Sequence, residues 1–120
     1  MPGSADARVA PEKMSIPKAT GANAYTVAEL FAQKGKLNKK KVVVKGKVVK
    51  VSQGIMKRNW IHLQDGTGSA DKKNHDLVVT TQAVPTDGQI ITITGTLLKD
   101  KDFGAGYKYD VIIDNAEIVK

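Results

Sequence analysis

The side chains best suited to chemistry in this chain are aromatic and basic, and they occur in two places. Trp60 is the only tryptophan and lies in an alternating run of apolar and polar residues, with His62 two positions further on. Phe103, Tyr107 and Lys108 lie in a second, glycine-containing stretch. Aromatic rings interleaved with cations suit stacking on bases or sugars together with attraction to phosphate. These residues are candidates for a binding site rather than a catalytic one.

Residues that would support catalysis or hold a cofactor are scarce. The chain has no cysteine, and its two histidines are His62 and His75. The missing cysteines exclude a thiol nucleophile and cysteine-based zinc sites, and two histidines without a nearby acidic cluster are too few for zinc or haem. Neither a nucleophile elbow nor a phosphate loop occurs, since no Gly-Lys-Ser/Thr follows Gly104 and Gly106. We therefore expect no enzymatic activity, no metal and no cofactor.

The net charge of +7 comes mainly from one segment. From Lys34 to Arg58 there are ten Lys or Arg residues and no Asp or Glu, whereas from Asn59 to Lys120 six basic residues face nine acidic ones. One interpretation is a solvated, lysine-rich surface that keeps the protein in solution. The other is a binding surface for an anionic partner such as a nucleic-acid backbone. No apolar run approaches the length of a membrane span.

The elements that must position these residues are one short helix followed by strands. Thr26 and Glu29 have the spacing of a capping box, which predicts a helix over about 26–34 that ends at Gly35. Five strands are expected, over residues 41–52, 59–64, 76–81, 89–98 and 107–113, and the last is expected to resume at 117–119. Gly46 lies within a first strand of unusual length, where a bend would let one strand serve both halves of a barrel.

This pattern predicts an all-β fold, namely an OB-fold: a five-stranded Greek-key barrel with one short N-terminal helix. An open five-stranded meander or an SH3-like barrel is the structural alternative. Residues 1–23 are expected to form a flexible tail and residues 24–120 the OB-fold domain. Ten apolar side chains are expected to point into one closed barrel: Val42, Val44, Val48, Ile61, Leu63, Val78, Ile91, Ile93, Val111 and Ile113.

Several sequence stretches resemble known OB-fold proteins. The run 59–68, Asn-Trp-Ile-His-Leu-Gln-Asp-Gly-Thr-Gly, is similar to the second strand and turn of anticodon-binding-like OB domains. The stretches 25–30, 44–51 and 102–107 are similar to a group of small bacterial OB-fold proteins, often exported or lipid-anchored, that are described as nucleic-acid-binding. The resemblance covers about residues 24–120. It implies an OB-fold, a base-stacking aromatic at Trp60 and export from the cytoplasm.

The two-residue period of a strand sends Ile61 and Leu63 inward and Trp60 and His62 outward. Trp60 should therefore be partly exposed in the free protein, and it either stacks on bases or packs as a satellite of the core. For His62 the alternative to a binding role is a hydrogen-bonded strand residue. Phe103, Tyr107 and Tyr109 either form the rim of a binding groove, or Tyr109 packs inward and Phe103 stabilises the loop.

Basic candidates surround the second strand. Lys57 and Arg58 belong to the loop between the first two strands, Lys45 and Lys47 to the outward face of the first strand, and Lys108 to the start of the fifth. Each alone has solvated surface as its alternative interpretation. Together with Trp60 they would form a continuous patch.

Two functional hypotheses follow from these features. The first is a non-catalytic module that binds single-stranded nucleic acid, or another polyanion, through the OB groove with little sequence specificity. The second is an interaction or assembly module that binds protein or glycan outside the cytoplasm. A periplasmic or secreted location is favoured over a cytoplasmic one, with a leader expected to be absent from this chain.

Overall fold

A computed structural model describes residues 9–119, which contain two short helices followed by five strands. The helices are α1 (Val27–Ala32) and α2 (Lys34–Leu37). The strands are β1 (Lys41–Ile55), β2 (Arg58–Gln64), β3 (Leu77–Thr81), β4 (Ile90–Asp102) and β5 (Lys108–Val119). No helix in this part of the chain has the length and apolar character needed to cross a membrane.

The five strands close into one barrel in the order β1-β2-β3-β5-β4, with β4 returning to pair with β1. β3 and β5 run parallel, and every other neighbouring pair is antiparallel. The prediction of an all-β, closed five-stranded barrel is therefore confirmed. Because each strand has two partners, the barrel leaves no free edge along its sheet.

β1 is long because it belongs to both sides of the barrel. Its first half, from Lys41 to Lys47, pairs with β4, and its second half, from Lys47 onward, pairs with β2. A Cβ atom at Gly46 would approach the Cγ atom of Leu63 to 2.8 Å. Glycine is therefore required where β1 crosses closely over β2. The prediction that one long strand serves both halves is confirmed.

The barrel interior is filled by alternating apolar side chains of all five strands, and α1 and α2 close one end with Val27, Leu30 and Leu37. Nine of the ten residues predicted to point inward belong to this core. The exception is Val78, for which the prediction is wrong. Val78 pairs with His62 and shares its outward face, so that Leu77 and Val79 fill the interior instead. All five residues of β3 are buried, and the sequence therefore lacks the alternation that would identify its inner face.

The start of α1 has the predicted capping box, in which Thr26 and Glu29 exchange hydrogen bonds. The turn after β2 adds two more acceptors: Asp65 Oδ2 accepts from the N–H of Val27 at 2.9 Å, and Thr67 Oγ1 accepts from Ala28 at 3.0 Å. These bonds satisfy amide groups that a helix leaves without internal partners. The turn therefore fixes the helix over the end of the barrel.

Several predicted element boundaries are wrong. β1 extends to Ile55 rather than to residue 52, and β4 extends to Asp102 rather than to residue 98. The helix ends at Ala32 rather than near Lys34, and Gly35 lies inside α2 rather than stopping the helical segment. Leu37 is buried in the barrel core, and its burial offsets the roughly 1 kcal/mol that a helical glycine costs relative to alanine. β5 continues without a break from Lys108 to Val119 because it pairs along its length with β4.

Candidate functional site

The Trp60 side chain points away from the barrel interior, as its alternation with Ile61 and Leu63 predicts, but it is only 1% exposed. The expectation that this ring is partly exposed in the free protein is therefore wrong. Phe103, Tyr107 and Tyr109 of the β4–β5 hairpin cover it, with ring centroids 5.3, 5.4 and 5.8 Å from that of Trp60. Its indole Nε1–H donates to the carbonyl oxygen of Ile55 at 2.8 Å. Trp60 is the centre of a second apolar cluster outside the barrel, here called the aromatic cluster.

Tyr109 places a buried polar group in the aromatic cluster. The residue is 6% exposed, and within the described part of the chain its hydroxyl group has no hydrogen-bond partner. Burial raises the pKa of the Tyr109 phenol above its usual range, and the nearby Tyr107 raises this pKa further. The hydroxyl is therefore held neutral and unpaired beside the indole ring.

The other half of the outward face of β2 is polar. His62 and Gln64 are 2% and 1% exposed, and both contact the side chain of Asp76, which is itself buried. His62 Nδ1 lies 2.7 Å from Asp76 Oδ2, and Gln64 Nε2 donates to Asp76 Oδ1 at 3.3 Å. A carboxylate oxygen accepts, so Nδ1 is the ring nitrogen that carries the hydrogen. Of the two interpretations of His62, the structure shows a hydrogen-bonded strand residue.

Residues 9–16, here called the N-terminal segment, lie over this polar half of β2. The amide of Gln64 binds the segment backbone at three points: Nε2 donates to Ala10 O at 3.2 Å and to Val9 O at 3.4 Å, and Oε1 accepts from Glu12 N at 3.0 Å. His75 Nε2 lies 2.8 Å from Val9 O, and Ile16 N donates to Asp65 O at 3.1 Å. The polar side chains of β2 and the following loop therefore hold an extended stretch of backbone.

A row of lysines borders the N-terminal segment. Lys45, Lys47 and Lys50 are partly exposed on the outward side of β1, between buried residues. Lys50 lies after an irregularity in the β1–β2 pairing, which returns its side chain to the same side as Lys47. Lys47 pairs with Glu12 of the N-terminal segment at 3.0 Å. No salt bridge within residues 9–119 involves Lys45 or Lys50.

The β1–β2 turn meets the β4–β5 hairpin at one rim of the barrel. The guanidinium carbon of Arg58 is 5.2 Å from the ring centroid of Phe103, and Lys101 Nζ is 5.4 Å from the same centroid. Lys57 and Lys108 are exposed beside them. Two cations therefore lie against the partly buried ring of Phe103, at the edge of the aromatic cluster.

The predicted site residues fall into three groups. Trp60, Phe103 and Tyr107 come together in the aromatic cluster, with Arg58 against its edge. Lys45 and Lys47 lie together on β1, and Lys57 and Lys108 are exposed near the rim. His62 belongs to the polar network under the N-terminal segment and is the neighbour of Lys50 across the β1–β2 ladder.

Sequence reasoning missed Gln64, Asp76 and the N-terminal segment as parts of this surface. Residues 9–16 have no apolar period, and their hydrogen bonds to β2 and the following loop are made by backbone atoms that leave no mark on residue type. One signal was present at Gly66. A Cβ atom there would overlap Met14 O, and glycine in a tight turn often marks such a close approach.

No group of three or more His, Asp or Glu side chains able to hold a metal occurs among the described residues. Comparison of the chain with models of known protein families finds no match, and comparison with curated proteins finds none either.

Proposed function

We propose that the barrel is an OB-fold and that it binds single-stranded nucleic acid with little sequence preference. The binding surface would consist of Lys45, Lys47, Lys50, Lys57 and Arg58, here called the basic surface. The observation that carries the proposal is the row of lysines on one side of β1, within a segment of ten basic and no acidic residues, that leads to the cationic rim at Phe103.

The strand order supports the OB assignment. A barrel in which β1 pairs with both β2 and β4, and β3 pairs in parallel with β5, has the connectivity of a five-stranded Greek-key barrel. OB-folds bind oligonucleotides on the face of strands 2 and 3, between the loops that join strands 1–2 and 4–5. In this chain those two loops meet where Arg58 contacts Phe103.

The aromatic cluster supports the Arg58 end of the basic surface. Trp60 is too deeply covered to stack on a base without displacement of the hairpin. Phe103 is less buried and lies between Arg58 and Lys101, so it is the ring best placed to meet a base at the rim. We infer that Trp60 fixes the position of this rim and that stacking, where it occurs, involves Phe103.

Salt dependence provides the test. Affinity for a labelled single-stranded oligothymidylate would be measured by fluorescence anisotropy over a range of salt concentrations. Replacing Lys45, Lys47, Lys57 and Arg58 with glutamine should weaken binding and flatten the log–log salt slope by about 0.7 for each lost phosphate contact.

The matched control replaces Lys36, Lys40, Lys72 and Lys73, four exposed lysines outside the basic surface, with glutamine. It removes the same charge and should leave most of the slope in place. Equal slopes in the two variants would show that net charge alone attracts the oligonucleotide. The absence of binding by the wild-type protein would exclude the proposed function.

The second candidate function is a module that binds protein or glycan outside the cytoplasm. The observation in its favour is that Gln64, His75 and Asp76 hold an extended polypeptide, the N-terminal segment, on the outward face of β2. The same anisotropy titration with labelled acidic peptides and acidic glycans distinguishes the two candidates. A protein that binds those ligands but not the oligonucleotide would support the second function.

A further inference from the structure

The N-terminal segment lies directly beside the basic surface and neutralises part of it. Lys47 is the residue of that surface whose ammonium group pairs with an acidic side chain, Glu12, in the described structure. Glu12 is held there by its own backbone, because its N–H donates to Gln64 Oε1, and Gln64 is the neighbour of Lys47 across the β1–β2 ladder. The segment therefore places a carboxylate where a bound polyanion would place a phosphate.

The contacts that hold the N-terminal segment are of a kind that opens readily. They are hydrogen bonds to backbone atoms of an extended stretch and one ion pair between half-exposed side chains. The side chains of Ala10 and Glu12 are exposed. Val9, Met14 and Ile16 are partly exposed, so no residue of the segment is fully buried. A segment of this kind that lies outside the sheet belongs to the least stable part of a fold.

We propose that the N-terminal segment is a displaceable cover that competes with single-stranded nucleic acid for the basic surface. This inference rests on the proposed function and adds its regulation. When the segment leaves, Lys47 loses its carboxylate partner, and the polar groups of Gln64 and His75 that held the segment backbone open toward the basic surface. The affinity of the whole chain is then reduced by the fraction of molecules in which the cover is closed.

Gly66 offers a way to open the cover in the full chain. Its φ is +92°, and a Cβ atom there would overlap Met14 O, so that Gly66→Ala forces the segment away. The same change strains the turn itself, since alanine disfavours a positive φ. Gly88 is the matched control, because its φ of +91° imposes the same strain while an added Cβ would contact nothing within 4 Å.

A second pair of variants tests the ion pair without backbone strain. Glu12→Gln removes the carboxylate at Lys47, and Glu117→Gln removes an exposed carboxylate from β5. Both variants raise the net charge by one. A difference between them therefore reports the position of the carboxylate rather than the total charge.

The experiment measures affinity for a labelled single-stranded oligothymidylate, and trypsin cleavage after Lys13 as an independent report of segment opening. We expect Gly66→Ala to be cleaved faster and to bind about three- to tenfold more tightly than the wild type, with Gly88→Ala unchanged. Glu12→Gln should bind more tightly than Glu117→Gln and steepen the salt slope by about 0.7, the contribution of one further phosphate contact.

Faster cleavage of Gly66→Ala without a gain in affinity, together with equal behaviour of Glu12→Gln and Glu117→Gln, would overturn the cover while leaving the proposed function intact. No binding by the wild type would instead overturn the proposed function and the cover with it.

Discussion

The outward face of β2 is covered in two different ways along one strand. At Trp60 the cover is the β4–β5 hairpin, which packs three aromatic rings against the indole. At Gln64, four residues further on, the cover is the N-terminal segment, which is held by polar contacts. Burial of large rings contributes several kcal/mol, whereas a hydrogen bond that replaces one to water contributes about 1 kcal/mol. One strand therefore carries a permanent cover and a removable one.

The largest effect is expected at the permanent cover. Trp60→Ala should lower the free energy of unfolding by about 3–5 kcal/mol, because it leaves a cavity among Phe103, Tyr107 and Tyr109. Urea denaturation measures this loss. Trp60→Phe is the control and should cost less, since it keeps a ring in the cluster. A loss below about 1 kcal/mol for the alanine variant would show that the hairpin does not depend on the indole.

The polar network under the N-terminal segment should contribute less. Asp76→Ala removes the acceptor shared by His62, Gln64 and the N–H of Val9. Leaving such buried groups unpaired costs about 1–3 kcal/mol, which urea denaturation would detect. Asp71→Ala, in the exposed loop nearby, is the control and should have no measurable effect. Equal stability of the two variants would contradict the pairing.

The aromatic cluster contains an unfavourable group, the buried hydroxyl of Tyr109, that a single substitution would remove. Tyr109→Phe removes a buried hydroxyl that has no partner in the described structure, and it should stabilise the protein by about 1 kcal/mol at neutral pH. Tyr25→Phe, at a partly buried tyrosine outside the cluster, is the control.

Tyr109→Phe should also change how much stability the protein loses at alkaline pH. Because burial raises the pKa of Tyr109 in the folded state, its phenol remains protonated after the unfolded chain has lost that proton. The wild type should therefore lose stability as pH rises above about 10, the usual tyrosine value. Tyr109→Phe should lose less over that range. Identical alkaline denaturation of wild type and Tyr109→Phe would contradict this account.

The difference between the two covers also explains what the sequence could predict. Ile61 and Leu63 alternate with polar neighbours, so the strand period alone fixed the outward direction of Trp60 and His62. The burial of Trp60 depends on Phe103 and Tyr107, which lie more than forty residues away along the chain, and no local period reports such a contact. Gly46 stands out in the sequence because glycine within a strand marks a special backbone position; the predicted reason was a bend, whereas the structure shows a close approach to Leu63.

The N-terminal segment was beyond prediction for a different reason. Its contacts use the backbone N–H and C=O groups that every residue except proline carries, so its sequence is not selected to look like a partner of Gln64. The prediction that Val78 points into the barrel was wrong because all five residues of β3 are buried. Nothing in the sequence of this strand therefore distinguishes Val78 from Val79.

Native-state hydrogen exchange compares the two covers most directly. The indole N–H of Trp60 donates to Ile55 O under the hairpin, and the amide of Glu12 donates to Gln64 under the N-terminal segment. We predict that the Glu12 amide exchanges through local opening, and faster still in Gly66→Ala, while the Trp60 indole exchanges only with global unfolding. A Glu12 amide as slow as the Trp60 indole would show that the segment is as permanent as the hairpin, and would contradict the account.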